Sequence, residues 1–183
     1  MPAPGDRDDH PVSGGASGFA IRPAAARDLP GISAIHNAVV ASSNAIFSEL
    51  AETLDQRDAW FAQRTAAGMP VLVACRGGEV LGFASYAQYR PWAGYRETVE
   101  QTIHVGERHR RQGIGRALLV ALVAVAREEG MHALVAGIDA GNEASVALHR
   151  SLGFVQVGLM PEVAIKHGVR LDLLLMQLLL AEE

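Results

Sequence analysis

The chain has 183 residues, 49% hydrophobic and 20% charged, the make-up of one globular domain rather than of a disordered polymer. Its net charge of −4 gives no global basic signature, which disfavours bulk nucleic-acid binding and leaves open only a local basic spot. A single cysteine rules out an internal disulfide and suits a reducing cytoplasm. No stretch reaches the roughly 20 apolar residues of a spanning helix, since the longest, Leu173 to Ala181, is broken by Gln177; no membrane partner is expected.

Residues 1–18, MPAPGDRDDHPVSGGASG, are polar and rich in Gly, Pro and Asp, and read as a disordered leader or a cloning remnant before a single domain over 19–183. FAIRPA (Phe19 to Ala24) is the first expected strand. Leu29, Ile32, Ile35, His36 and Val39 then recur at helical spacing, with Asp28 as N-cap and Pro30 in the first turn. After the polar loop ASSNAIFSELAE, a second helix starts near Thr53 or Asp55, carries Trp60 and Phe61, and stops at Gly68. PVLVAC and EVLGFASYA, joined across Gly77 and Gly78, predict a β-hairpin, with Cys75 as a buried structural thiol. TVEQTIHV (Thr98 to Val105) alternates as a strand. A helix with Ile114, Ala117, Leu118, Ala121, Leu122 and Val125 on one face closes at Gly130. HALVAGID is a strand, NEASVALHRSLG a short helix, and FVQVGLM and VRLDLLLMQL two final strands around the turn KHG, the last ambiguous because leucine is a mediocre strand former. This order predicts an α/β (α+β) domain: a mixed sheet with helices on its faces.

HRRQGIGRALLVAL (His109 to Leu122) sets two arginines and two glycines against the start of an apolar helix. The first helical turn leaves N–H groups unpaired at the positive end of the macrodipole. Gly113 and Gly115 admit a ligand to the backbone, and Arg110, Arg111 and Arg116 add charge and bidentate donors. The combination is an anion cradle suited to a phosphate or diphosphate; the alternative is a flexible glycine turn with solvated arginines. A dinucleotide fingerprint is disfavoured because its third glycine would fall on Leu118, and no Gly-Lys-Ser/Thr follows for a Walker A loop.

RRQGIG (Arg110 to Gly115) resembles the acyl-CoA diphosphate loop of the GNAT N-acetyltransferases. NEASVALHRSLGF (Asn142 to Phe154) is similar to the second signature of that family, and the element order matches over about Ile21 to Leu180. NAIF, YRPWAGYRETVEQTIHV, VAGIDAGNEASVALHRSLGF and HGVRLDLLLMQL, in that order, resemble the phosphinothricin and methionine sulfoximine/sulfone acetyltransferase branch. The resemblance implies a GNAT-type acyl-CoA N-acyltransferase fold, acetyl-CoA as acetyl donor, and a small-molecule amine as acceptor. It further implies a cytoplasmic homodimer and a capacity for herbicide resistance.

Acetyl transfer from a thioester to an amine requires removal of the ammonium proton, stabilisation of the oxyanion and help for the departing thiolate. Glu100, on the strand before the cradle, suits the first task if half-buried; otherwise it faces solvent or pairs with Arg96. His149 stands where many family members carry a tyrosine assigned to protonate the CoA sulfur, and reads as acid, base or structural histidine. By resemblance, the backbone of Ile103, His104 and Val105 runs beside the pantetheine arm. Arg110, Arg111, Gln112, Gly113, Ile114, Gly115 and Arg116 hold the diphosphate, and Asn142 and Ser151 contact the arm, Asn142 alternatively being only an N-cap. Phe47, Arg90, Tyr95, Arg96, Thr98 and Val99, beside Glu100, shape the acceptor pocket, although Phe47 also fits a core and the arginines a solvated loop. The seven histidines form no ligand-spaced set, so no metal is expected. Other readings are a GNAT enzyme for an amino acid, polyamine or protein N-terminus, and a non-catalytic acyl-CoA sensor.

Overall fold

A computed structural model describes residues 18–180, so the expected leader, apart from Gly18, lies outside the described residues. Seven strands form one sheet in the order β1-β2-β3-β4-β5-β7-β6, antiparallel except for the β4–β5 pair. They are β1 (Ala20–Pro23), β2 (Val71–Arg76), β3 (Glu79–Gln88), β4 (Thr98–Val105), β5 (Ala133–Asp139), β6 (Val155–Lys166) and β7 (Val169–Leu179). Four helices interleave them: α1 (Leu29–Ser42), α2 (Leu54–Ala66), α3 (Ile114–Glu128) and α4 (Glu143–Arg150). The mixed sheet with flanking helices is the predicted class.

Strand alternation divides the core between two faces. Val71, Val73 and Phe83 point toward Leu29, Ile32 and Ile35 of α1. Their neighbours Leu72, Ala74 and Ala84 point the other way, with Leu134, Ala136 and Ile138 of β5, onto Leu118, Leu119 and Leu122 of α3. The β2–β3 hairpin turns across Gly77 and Gly78, at φ +55° and +90°, as its two-residue glycine loop requires.

Asp28 stands at the N-cap position of α1 with Pro30 in the first turn, as expected, but its side chain makes no capping bond: its carboxylate accepts two bonds from the Arg22 guanidinium, at 2.7 and 2.8 Å, and one from the Ala25 N–H. A bidentate arginine offers the carboxylate more than one backbone donor could. Strand β6 does not stop at Met160 but continues through Pro161 to Lys166, with register shifts at Gln156/Gly158 and Met160/Ala164. It is an edge strand, so the missing proline N–H costs no ladder bond, and the Glu162 N–H donates to the Asp172 carboxylate instead. Cys75 is half-buried rather than buried. Leucine-rich β7 is a strand because it is paired on both sides, by β5 and β6.

Candidate active site

The parallel pair β4–β5 sets the site. Thr98 to Gln101 pair with Ala133 to Ala136, and then the strands part. Thr102 to Val105 stay on β3, while Gly137 to Asp139 follow β7. Beyond Gln101 the β5-facing backbone of β4 therefore has no strand partner among the described residues, and the sheet opens into a V. The resulting cleft, about 1360 Å³, is lined by both strand ends, the loop into α3, the start of α4 and the segment after α1.

The cradle lies at the mouth of this V. Gly113 takes φ +79°, and a Cβ there would meet nothing within 4 Å, so the space over the first turn of α3 is open. Arg111 also has a positive φ, +59°. The first i→i+4 bond of the helix is the Ala117 N–H to the Gly113 carbonyl, which leaves the preceding amides of the first turn toward the cleft. Arg110, Arg111 and Arg116 line the same opening. Open backbone donors flanked by guanidinium groups, beside an unpaired strand edge, fit a diphosphate with a long polar arm.

Glu100 sits in β4 where the strands part. It is half-buried, and burial holds its carboxyl above the ordinary carboxylate range against the opposing charge of Arg90. Among the described residues it has no ion pair or hydrogen bond. Arg96, the alternative partner, pairs with Glu97 at 2.9 Å on the exposed surface. Gly137 makes room for the acid: a Cβ there would lie 3.1 Å from Glu100 Oε1.

His149 is buried on α4 with both ring nitrogens engaged. Its Nδ1 lies 2.8 Å from the Ser145 carbonyl and must donate to it; its Nε2 lies 2.7 Å from the Gln101 side-chain nitrogen and accepts. Burial lowers its pKa, with the bond to Ser145 opposing. A neutral ring so occupied has no proton facing the cleft, which speaks against the acid role and for a pin between α4 and β4.

The even-numbered residues of β4 face α1. His104 packs against Phe83 (5.5 Å between centroids) and His36 (6.4 Å), and burial, aided by the charges of His36, Arg57 and Arg110, lowers its pKa to about 4. Its side chain belongs to this polar floor, and only its backbone runs along the V. The floor includes residues for which the sequence reading had no role. Arg57 is buried, pairs with Glu52 and lies over the Trp60 ring at 4.6 Å, while His36 Nε2 is 3.5 Å from Glu52. The signal was present in LDQRDAWFAQR, where Arg57, Trp60, Phe61 and Arg64 occupy one helical stripe, placing arginines at core positions.

Of the expected site residues, Glu100, Ile103, His104, Val105, Arg110, Arg111, Gly113, Ile114, Gly115, Arg116, Asn142 and His149 come together around the cleft. Asn142 is also a cap, its side chain accepting from the Ser145 N–H. The others lie outside the lining. Gln112 donates to the Arg108 carbonyl, and Ser151 donates to the Leu148 carbonyl. Val99 is fully buried in the α3-side core, so its side chain cannot touch an acceptor. Phe47 is half-buried outside both core clusters, and Thr98 is half-buried at the start of β4. Arg90 stacks on Tyr89 at 4.0 Å and Tyr95 packs with Tyr89 and Trp92, making an exposed aromatic loop with Arg96. Among the described residues no group of three or more His, Cys, Asp and Glu could hold a metal ion.

The sequence pattern of the Acetyltransferase (GNAT) family matches residues 33–154. A Pseudomonas paraeruginosa L-methionine sulfoximine/L-methionine sulfone acetyltransferase is 49% identical over 159 residues, 86% of this chain and 92% of that protein. A phosphinothricin N-acetyltransferase from Alcaligenes faecalis is 39% identical over 82% of this chain and 77% of its own. A Salmonella typhimurium protein solved with its cofactor acetyl-CoA is 42% identical, superimposes with a TM-score of 0.88, and covers 91% of this chain and 96% of that one. The split sheet, the glycine cradle and these likenesses agree: this chain belongs to the GNAT family of acetyltransferases.

Proposed function

We propose that this protein transfers the acetyl group of acetyl-CoA directly to the α-amino group of a small L-amino acid analogue, methionine sulfoximine, methionine sulfone or phosphinothricin, with Glu100 as general base. The observation that carries the reading is a half-buried, unpaired carboxylate at the point where the sheet splits, kept basic by burial. The relatives' names support the acceptor class. The thioester supplies an activated acetyl group; the chain does the rest. First-turn amides from Gly113 onward and the arginines 110, 111 and 116 hold the diphosphate. The free edge of Ile103 to Val105 aligns the arm, and an N–H near Val105 polarises the thioester oxygen. Glu100 takes the ammonium proton, directly or through water. His149 fixes α4 against β4 through Gln101, so that Asn142 and the cradle keep their spacing.

The acceptor's carboxylate and polar head need cationic and aromatic neighbours, and Arg90, whose charge reaches Glu100, is the loop residue best placed for that. We place the enzyme in the cytoplasm as a homodimer. The edge strand β6 leaves Val155, Val157, Leu159, Val163 and Ile165 exposed, an apolar margin suited to a second copy. Release of free CoA, measured with methionine sulfone, methionine sulfoximine, phosphinothricin, spermidine and a peptide amine, tests the acceptor. Turnover with the sulfone, sulfoximine or phosphinothricin is expected. Turnover confined to spermidine or the peptide would refute the acceptor class, and acetyl-CoA binding without turnover would identify a sensor.

A further inference from the structure

We propose that Lys166 is a positioning residue for the acceptor: from the tip of the β6–β7 hairpin it holds in place the segment 43–46, which walls the same cleft as Glu100. The proposal rests on the reading of the cleft as an acetyl-acceptor site.

Segment 43–53 joins α1 to α2 without regular structure, and Ser43, Asn44, Ala45 and Ile46 line the cleft. Glu100 shares its face of β4 with His104, and His104 packs toward α1. The carboxylate thus opens to the α1 side, away from α3, and segment 43–46, which continues from the end of α1, lines the same cleft. A wall of irregular backbone needs anchors, because its own amides and carbonyls do not hold it.

Lys166 is such an anchor. It is 2% exposed, and its ammonium donates to the carbonyls of Val40 at 2.7 Å, Ser43 at 2.6 Å and Ile46 at 2.9 Å. Three acceptors use all three of its N–H bonds. The Val40 carbonyl is one of those left free where a helix ends, and the Ser43 and Ile46 carbonyls belong to the wall itself. No carboxylate lies within 4 Å of Lys166 among the described residues, so the ammonium is committed to this backbone. The next residue adds a second tie, the His167 N–H donating to the Glu49 carboxylate. Farther along, Asn37 exchanges two bonds with the Glu52 backbone, at 2.8 and 2.9 Å. The hairpin tip is more than 110 residues away in the chain, so its contacts serve this wall rather than local folding.

The test uses the full-length protein with two substitutions. Lys166→Met keeps the unbranched stem out to Cε and removes the ammonium with its donors; Glu49→Ala removes the outer tie at an exposed residue, where folding is not at risk. Acceptor KM is measured with L-methionine sulfone, acetyl-CoA Kd by calorimetry, and backbone amide exchange over 43–50 by mass spectrometry. Acceptor KM should rise about tenfold in Lys166→Met and about threefold in Glu49→Ala, while acetyl-CoA Kd stays within about twofold. Exchange over 43–50 should accelerate while that of α3 does not. Unchanged acceptor KM in both variants, or a KM and Kd that worsen together as in general loosening, would overturn the proposal. Should Lys166→Met fail to fold, the Glu49→Ala result decides. A wild-type protein that acetylates no amine would defeat the proposed function instead, and unchanged exchange over 43–50 would still count against the clamp.

Discussion

Replacing Gly113 by alanine separates the two jobs of the cradle glycine. The residue sits at φ +79°, where a side chain costs about 1–2 kcal/mol, and its Cβ would meet no protein atom within 4 Å. Gly68, after α2, has nearly the same geometry, φ +69° with nothing within 4 Å, but does not line the cleft. Gly113→Ala and Gly68→Ala should therefore lose similar stability, roughly 2–4 °C in Tm for each kcal/mol in a chain of this size. Only at Gly113 does the new methyl stand in the space over the first-turn amides. Losing one bond between a backbone N–H and a charged phosphate oxygen, worth about 1.5–3 kcal/mol, weakens binding about tenfold to hundredfold. Calorimetry with acetyl-CoA and a thermal melt of both variants provide the comparison. Equal affinity in wild type and Gly113→Ala, or equal weakening in both variants, would refute the assignment of those amides to the diphosphate.

The buried His104, with a pKa near 4 against 6.5 unfolded, makes the fold acid-sensitive. Between those values the unfolded chain binds the extra proton, so this contribution is present above about pH 6.5 and is lost as pH falls toward 4; at about 1.4 kcal/mol per unit the full swing is about 3 kcal/mol. His104→Gln should flatten the denaturation midpoint across that window, and an unchanged pH slope would contradict it. His149→Phe should keep the packing on Phe154 and lose both ring bonds, lowering kcat less than about tenfold; a loss beyond about hundredfold would restore the proton-donor role. Gly137→Ala should crowd Glu100 Oε1, which a Cβ would approach to 3.1 Å, and reduce kcat/KM by several-fold with little effect on acetyl-CoA Kd. Equal kcat/KM would mean that the carboxylate does not need that space.

Element order was legible in the sequence because hydrophobic period and turn chemistry agree along most of this chain. The α2 start shows it: Thr53 and Gln56 form the capping box their spacing suggests. What local reading missed depends on distant partners. Asp28 has the look of a helix cap, but Arg22 takes its carboxylate. FVQVGLM reads as a strand ending at Met160, yet as an edge strand β6 runs on through Pro161 to Lys166. Lys166 in KHG reads as a turn residue, and its true partners are carbonyls more than a hundred residues upstream. At the cleft, the glycine-arginine turn was visible as a motif, since its open amides are backbone atoms adjacent in sequence. The polar floor was not. It joins His36, Glu52, Arg57 and His104 from four separate segments, and Arg90, Tyr95 and Arg96 sit on a loop whose side chains meet one another and solvent.

The most direct test is the pH dependence of CoA release with L-methionine sulfone, compared in wild type and Glu100→Gln. A base made stronger by burial should give kcat/KM an acidic limb above the ordinary carboxylate range, since turnover is lost once Glu100 is protonated. In Glu100→Gln that limb should disappear, and the neutral-pH rate should fall about 10²–10⁴-fold with acetyl-CoA Kd unchanged. A variant with the wild-type rate and the same limb would show that some other group removes the amine's proton.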